Sequence, residues 1–223
     1  MATSPPVAPI DFYFGSGSPY AWKVWLALEH KALPYVAKRM QFDNDDLKSA
    51  EFGVINPRRK VPAIFDNGFA MYESSAIIDY LEDHYHDQGA PLWPRELHAR
   101  AIARRRAAEV VSYVDPLNSK IVTEVLFSGD KGPDAKVLAE AKEALGEELQ
   151  RIESWLSHNY LAGEQLSAAD FTLYPYVAFL GRIDTRKPGH DMQALLPPKV
   201  KAWMERIEWL PFFQNTYPPH WKA

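Results

Sequence analysis

Residues 10–22 read IDFYFGSGSPYAW, and this stretch decides how the chain begins to fold. The apolar run from Ile10 to Phe14 predicts a buried β-strand. Glycine and serine then interrupt the run, and Pro19 follows Ser18 directly. Because proline is favoured at the first position of a helix, where its missing N–H costs nothing, we expect a helix with Ser18 as its N-cap.

The tetrapeptide Ser18-Pro19-Tyr20-Ala21 has the spacing of a Cys-Pro-Tyr-Cys redox motif from which both sulfurs are missing. Dithiol exchange is therefore excluded. A serine hydroxyl at a helix N-terminus lies beside unpaired backbone N–H groups and the positive end of the helix dipole, which together favour an anion. The alternative interpretation is that Ser18 only caps its helix, a role worth about 1 kcal/mol.

The first 86 residues have the pattern of an α/β domain. The spacing of apolar residues predicts, in order, strand 10–14, helix 20–30, strand 35–40, a short loose helix 43–51, strand 63–65, strand 69–72 and helix 73–85. The step Asn67-Gly68 between two apolar runs is a strong hairpin signal, so the last two strands should pair antiparallel. We therefore expect the order βαβ followed by ββα.

Residues 87–94, DQGAPLWP, interrupt every periodic pattern with one glycine and two prolines, so we place a linker there. Beyond the linker, the pattern predicts helices over 95–114, 134–156 and 199–209. Ser167 and Asp170 stand three residues apart before an apolar run, which is the spacing of a helix capping pair and indicates a structural role. We expect residues 95–223 to form an all-helical domain.

Composition excludes several classes of function. The chain has 223 residues, 47% of them hydrophobic, which is enough to bury the core of one or two globular domains. The absence of cysteine excludes disulfides, thiolate metal sites and a cysteine nucleophile. The seven histidines lack the helical spacing of paired metal ligands, so no metal is expected. The net charge of -4 argues against a nucleic-acid partner.

Nothing in the sequence indicates a membrane or secretory protein. It contains no run of about 18 apolar residues, and its start, MATSPPVAPI, lacks the basic and apolar regions of a signal peptide. We therefore expect a cytoplasmic protein with no membrane partner. The arginine-rich segment 100–106 superficially matches a nucleic-acid patch, but a solvated or intersubunit helix face is the simpler interpretation.

Two further segments are suited to binding a small peptide. In Lys60-Val61-Pro62 a proline opens a strand, and a cis bond there would expose the N–H and C=O of Val61 to an extended ligand; an ordinary turn is the alternative. Glu73 and Ser74 begin a helix, where Glu73 would take the ammonium and Ser74 the carboxylate of an amino-acid head group. Helix capping explains each of these two residues equally well.

The segments SPYAWKVWLALE, NPRRKVPAIFDNGFAMYESSAIIDYL and YLAGEQLSAADFTLYP together resemble the cytosolic glutathione transferases in order and spacing, over nearly the whole chain. The resemblance implies an α/β thioredoxin-like domain over residues 1–86 that binds glutathione. It also implies an all-α helical-bundle domain over 95–223 that completes a hydrophobic substrate pocket. The opening DFYFGSGSPYAW is similar to kappa-type transferases as well, but those insert their helical domain inside the thioredoxin fold. Serine before Pro-Tyr is similar to the tau class, whereas omega proteins place cysteine there.

By this resemblance Ser18 activates the thiol of glutathione, with Ser16 as the rival donor and Tyr13, Tyr20 and Tyr72 as weaker candidates. Val61 would bind the cysteinyl backbone, Glu73 and Ser74 the γ-glutamyl end, and Lys60 or Lys48 the glycine carboxylate. The glutathione-binding set implied is Lys48, Lys60, Val61, Pro62, Glu73 and Ser74. The substrate-pocket set is Tyr20, Ser112, Tyr113 and Pro116. Arg58 and Arg59 depart from the family pattern, and we interpret both as solvated charge.

The resemblance therefore implies an enzyme of the detoxification type, a glutathione transferase that presents a thiolate to a hydrophobic electrophile and works as a homodimer. The reaction stays open among conjugation, dehalogenation, ether cleavage, isomerisation and peroxide reduction. The alternative is a non-catalytic protein-interaction module with the same fold. The presence of a complete set of glutathione-binding residues favours the enzyme, because a pocket without a function would not need all of them.

Overall fold

The computed structural model describes residues 8–222; Ala223 and the N-terminal MATSPPV, on which the signal-peptide prediction depends, lie outside the described residues. The chain divides into two compact units. The first contains the described residues up to Leu92 together with those from Phe212 onward, and the second spans Trp93–Pro211. Within the described part of the chain, no helix is long and apolar enough to cross a membrane.

The first unit is built on a four-stranded sheet in the order β2-β1-β3-β4. The strands are β1 (Ile10–Phe14), β2 (Tyr35–Arg39), β3 (Ala63–Asp66) and β4 (Phe69–Tyr72). Strand β1 is parallel to β2 and antiparallel to β3, with Phe12 opposite Ile64. Both side chains are completely buried, so the centre of this sheet is also the centre of the core.

The hairpin between β3 and β4 turns at Asn67 and Gly68, as the sequence predicts. Their φ angles are 50° and 90°. A two-residue turn that matches the twist of its strands needs positive φ at both central residues, and asparagine followed by glycine adopts this conformation most easily. The antiparallel register, with Ala63 opposite Tyr72, confirms the predicted hairpin.

Three helices pack against this sheet: α1 (Pro19–His30), α2 (Ala50–Ile55) and α3 (Ser74–His84). The α/β fold and its element order are thereby confirmed. The loose helix predicted over 43–51 is instead a short 3₁₀ turn followed by α2. The boundary moves because Ser49 Oγ accepts a hydrogen bond from Phe52 N at 3.2 Å, and the buried Phe52 anchors the helix that Ser49 begins.

The described residues of the second unit form a helical domain, again as predicted. Its helices are α4 (Leu97–Glu109), α5 (Asp115–Leu126), α6 (Ala135–Glu153), α7 (Ala168–Arg186) and α8 (Pro198–Glu208). The predicted apolar stripe of α6 is buried along its whole length, at Leu138, Ala141, Leu145, Leu149 and Ile152.

Helices α4 and α5 are continuous through a wide π-helical turn, Val110–Val114. The sequence prediction ends this helix at Val114. Pro116 follows two residues later and has no N–H to donate to a carbonyl four residues earlier. In the structure Asp115 N donates instead to Val110 O, five residues earlier. This one widened turn lets the helix continue through the proline, which is why α5 is absent from the sequence prediction.

Helix α7 begins at the predicted capping box. Asp170 is completely buried, and its Oδ2 accepts from Ser167 N at 2.9 Å and Ser167 Oγ at 3.1 Å. Its Oδ1 accepts from Leu161 N at 2.8 Å and from Trp203 Nε1 of α8 at 2.9 Å. Burial raises the pKa of the Asp170 carboxyl, and the four hydrogen bonds oppose that shift. One carboxyl thus joins α7, α8 and the loop before α7.

The last described residues belong to the first unit, whereas the sequence analysis assigns them to the helical domain. Helix α9 (Phe213–Thr216) packs against α1, and Trp22 Nε1 donates to Thr216 Oγ1 at 3.0 Å. The Trp22 ring also lies perpendicular to that of Trp221, with centroids 5.3 Å apart. Large aromatic side chains gain most from burial, so this aromatic tail joins α1 although it follows α8 in the chain.

Candidate active site

The candidate site begins at the loop between β1 and α1. Ser18 is half-buried, has an extended backbone, and caps α1 by accepting a hydrogen bond from Ala21 N at 3.3 Å. A hydroxyl that accepts one hydrogen bond still has its own proton to donate. The capping role foreseen for Ser18 and a donor role toward a ligand are therefore compatible.

The preceding loop is closely enclosed by two aromatic groups. A Cβ on Gly15 would collide with the ring of Phe42. Gly17 has φ of 81°, and a Cβ there would lie 2.8 Å from Cε1 of His220. Between the two glycines, Ser16 Oγ is 2.6 Å from His220 Nδ1. Gly17 is the position that requires glycine, because its left-handed conformation is strained for other residues, whereas a Cβ on Gly15 would displace the exposed Phe42 ring.

A second part of the site is the turn that precedes β3. The Val61-Pro62 peptide bond is cis, one of the two alternatives that the sequence leaves open. Buried Asn56 fixes this turn, since its Nδ2 donates to Lys60 O at 2.6 Å and its Oδ1 accepts from Arg58 N at 2.9 Å. Val61 lies just before β3 and outside the strand ladder, so its backbone groups are placed to pair with a ligand.

The third part is the start of α3. Glu73 precedes the helix with φ of 69° and ψ of 107°, a conformation that non-glycine residues rarely adopt and that is often found at ligand sites. Its side chain is 69% exposed, whereas Ser74 is buried. In the described structure no side chain caps this helix, so its first N–H groups favour an anionic ligand.

The turn before β3 and the start of α3 line one cavity of about 300 Å³ in the first unit, together with Tyr20 of α1; Ser16 and Ser18 are outside this lining. It is lined by Tyr20, Asn56, Arg58, Lys60, Val61, Pro62, Glu73 and Ser74. Six of these eight residues belong to the sets proposed from sequence. Arg58 and Lys60 supply positive charge and Glu73 negative charge, with Arg58 Nε 3.9 Å from Glu73 Oε1. A cavity lined by charges of both signs suits a small zwitterionic peptide with a free carboxylate at each end.

The other proposed residues lie elsewhere. Lys48 is outside the cavity lining, and its Nζ pairs with Asp45 Oδ1 at 3.0 Å between two exposed side chains. Of the two candidate lysines, Lys60 is therefore the better placed. The pocket residues from the helical domain lie in the second unit: Ser112 and Tyr113 in the π-helical turn, and Pro116 at the start of α5.

Sequence analysis missed two cavity residues, Asn56 and Arg58. The Asn-Pro step in the sequence predicts a turn. It does not reveal that the Asn56 side chain stabilises this turn through hydrogen bonds to the backbone of Arg58 and Lys60. Arg58 is exposed, as solvated charge would be, yet it also lines the cavity. Arg59 has a different role, because its guanidinium donates to Ser49 O at 3.0 Å and supports the start of α2.

Comparison with known proteins agrees with this arrangement. Residues 17–84 match the family model "Glutathione S-transferase, N-terminal domain", and residues 108–211 match "Glutathione S-transferase, C-terminal domain". Glutathione S-transferase A of Pleuronectes platessa is 29% identical over 216 residues, which cover 93% of this chain and 91% of that protein.

Two further proteins extend the comparison. A probable maleylacetoacetate isomerase of Caenorhabditis elegans is 31% identical over 201 residues, covering 89% of this chain and 88% of that protein. The crystal structure of a glutathione S-transferase from the Antarctic clam Laternula elliptica has a TM-score of 0.80 at 29% identity, covering 97% of this chain and 95% of that one. On this fold, this cavity and these matches, the chain belongs to the cytosolic glutathione S-transferase family of enzymes.

Proposed function

We propose that this protein binds glutathione in the cavity of the first unit and presents its thiolate to a hydrophobic electrophile, with Ser18 as the hydrogen-bond donor to the sulfur. The observation that carries the proposal is the convergence of Lys60, Val61, Glu73 and Ser74 around one cavity. These four residues supply a cation, peptide groups, an acid and a hydroxyl. Those groups match the carboxylates, the peptide and the ammonium of glutathione.

Each end of glutathione has a complementary group in this arrangement. The cysteinyl backbone pairs with Val61, as an added strand would. The γ-glutamyl ammonium pairs with Glu73, and its carboxylate with Ser74 and the N-terminus of α3. The glycine carboxylate pairs with Lys60. Tyr20 lines the cavity, and Tyr20, Ser112, Tyr113 and Pro116 are proposed to contact the electrophile.

A single donor is strong enough for the chemistry. A thiol with an unperturbed pKa of about 8.5 is mostly protonated at neutral pH, and lowering that pKa by about two units takes about 2.7 kcal/mol of differential stabilisation. One hydrogen bond to a charged group contributes about 1.5–3 kcal/mol. The Ser18 hydroxyl at the positive end of α1 therefore suffices to make the thiolate the main species near pH 7.

A second candidate reaction is glutathione-dependent isomerisation, which is favoured by the 31% identity with a probable maleylacetoacetate isomerase. It uses the same thiolate, which would add to an activated double bond and leave again after bond rotation. Release of halide from an aryl chloride identifies the transferase reaction, and a change of double-bond geometry without consumption of glutathione identifies the isomerase reaction. Glutathione binding without either reaction would indicate the non-catalytic module.

Replacing Glu73 by alanine is expected to weaken glutathione binding at least about tenfold, or about 1.4 kcal/mol, because the ammonium loses its counter-charge. Isothermal calorimetry on the wild type and the variant measures this difference. Glu73→Gln keeps the side-chain shape and removes the charge, so it should weaken binding nearly as much. The glutathione proposal is contradicted if the wild type shows no binding heat up to about 10 mM, a limit well above the affinities of useful substrate sites.

The two candidate lysines provide a matched pair for the same titration. Lys60→Ala is expected to weaken binding severalfold, because Lys60 lines the cavity. Lys48→Ala is expected to leave binding unchanged, because Lys48 pairs with Asp45 outside the lining. The reverse result would assign the glycine carboxylate to Lys48.

We also propose a two-fold homodimer, the commonest closed assembly of soluble proteins and the one that the family resemblance implies. Light scattering at micromolar concentration should give a mass twice that of the 223-residue chain. A monomeric mass across that range would contradict the proposal and would strengthen the case for an interaction module.

A further inference from the structure

The C-terminal segment places a histidine on the loop that carries both candidate serines. Ser16 Oγ lies 2.6 Å from His220 Nδ1, a short hydrogen bond between residues 204 positions apart in the chain. The His220 ring also sits against Gly17, where a Cβ would be 2.8 Å from Cε1. The loop and this ring are therefore fitted to each other at two adjacent residues.

The segment that carries His220 packs against α1, while the His220 side chain itself is exposed. The next residue, Trp221, lies across Trp22 of α1, and the preceding helix α9 is tied to α1 by the Trp22–Thr216 hydrogen bond. The exposed ring of Phe42 lies against Gly15, at the start of the same loop. The Ser16 hydroxyl thus has a defined hydrogen-bond partner in His220.

The proposed function accounts for the stabilisation of the thiolate and leaves the thiol proton without a destination. A serine hydroxyl is a poor proton acceptor by itself. Imidazole is the side chain whose charge changes most readily near neutral pH, and pairing it with a hydroxyl is a common way to move a proton away from a nucleophile.

We propose that His220 receives the thiol proton of bound glutathione through the Ser16 hydroxyl, an inference that rests on the proposed function. The S–H bond breaks, and its proton passes to Ser16 Oγ. The original Ser16 proton passes to His220 Nδ1, while the bonding electron pair stays on sulfur. The products are a thiolate, an intact hydroxyl and an imidazolium, so atoms and charge balance. Ser18 keeps its separate role as donor to the thiolate, and His220 acts through Ser16 as the final proton acceptor.

Two substitutions at position 220 separate proton transfer from simple positioning. His220→Ala removes the ring, whereas His220→Asn retains a side-chain oxygen that accepts the Ser16 hydrogen bond but cannot hold the proton. We expect both variants to lower kcat at least about tenfold with glutathione and chlorodinitrobenzene, with much less change in the KM for glutathione. Imidazole added to the buffer should restore part of the rate of His220→Ala, because it replaces the lost acceptor.

The double variant Ser16→Ala/His220→Ala tests whether the two residues act as a unit. It should be no slower than the slower single variant, and imidazole should not rescue it, because the relay has lost its middle member. His86→Ala is the matched control: His86 is an exposed histidine of the same unit that pairs with Asp87 at 2.9 Å, and its loss should leave the rate unchanged.

The inference is overturned if His220→Asn has the wild-type rate, since positioning alone would then suffice, or if His220→Ala has it. Melting temperature and calorimetric glutathione binding show whether each variant keeps its fold and its site. If alanine loosens the C-terminal segment, the asparagine variant still decides the question. A wild type that binds no glutathione refutes the proposed function itself, whereas normal binding and turnover with unaffected His220 variants refute only the role of His220.

Discussion

Replacing Asp170 by alanine is expected to lower the free energy of unfolding by about 3–5 kcal/mol, measured by denaturant titration. The carboxyl is completely buried and accepts hydrogen bonds from Leu161 N, Trp203 Nε1 and both the backbone and side chain of Ser167. Alanine leaves these donors buried without an acceptor, and each unsatisfied donor costs about 1–3 kcal/mol before relaxation.

A matched variant separates burial from ordinary capping. Asp134 caps α6 with two backbone hydrogen bonds, at 2.9 and 3.1 Å, but it is exposed to water. Asp134→Ala should therefore cost only about 1 kcal/mol, since water replaces the lost acceptor. Equal losses for the two variants would mean that Asp170 is a simple cap rather than the joint between α7 and α8. The loss of unfolding free energy for Asp170→Asn should fall between those of the two alanine variants. The amide keeps one acceptor oxygen, but its NH₂ group faces two hydrogen-bond donors that have lost their acceptor.

The elements predicted correctly from sequence are those whose cause is local. The hairpin at Asn67-Gly68 follows from two residues that adopt positive φ easily, and the start of α1 follows from Ser18 and Pro19. The capping box at Ser167 and Asp170 is likewise encoded within four positions. In each case the residues that determine the structure are neighbours in the chain.

The errors have causes that are distant in sequence or depend on exceptions to local rules. The continuation of α4 into α5 depends on the widened turn Val110–Val114, just before Pro116, and no local pattern in the sequence predicts that turn. The placement of the C-terminal residues depends on Trp22, almost two hundred positions earlier. Asn56 enters the candidate site because its side chain bonds to Lys60 O, and no periodic pattern records that contact.

Replacing Ser18 by alanine is expected to lower kcat by about ten- to a thousandfold while leaving glutathione affinity largely intact, in the range found when one donor to a developing charge is removed. Alanine loses a hydrogen bond made mainly to the charged form of the sulfur. The pKa of the bound thiol should therefore rise toward its value in solution, and less thiolate should form at neutral pH. Ultraviolet absorbance of the thiolate during a pH titration measures this shift without any choice of electrophile.

Because Ser18 also caps α1, its loss has a structural component that needs its own control. Ser49 caps α2 in the same way, accepting from Phe52 N at 3.2 Å compared with 3.3 Å from Ala21 N at Ser18. Ser49→Ala should cost a similar amount of stability, about 1 kcal/mol, and leave the thiolate titration unchanged. Ser18→Thr retains a hydroxyl and should recover much of the rate.

The roles of the two loop serines are distinguishable in the same experiments. Imidazole should not rescue Ser18→Ala, because that variant lacks a donor to the thiolate and still has His220 as a proton acceptor. If Ser18→Ala keeps full activity and Ser16→Ala alone abolishes it, the donor is Ser16, and the hydrogen bond to His220 then orients the catalytic hydroxyl itself. If neither substitution changes the thiolate titration, the tyrosines near the loop are the remaining donors, with Tyr20 first because it already lines the cavity.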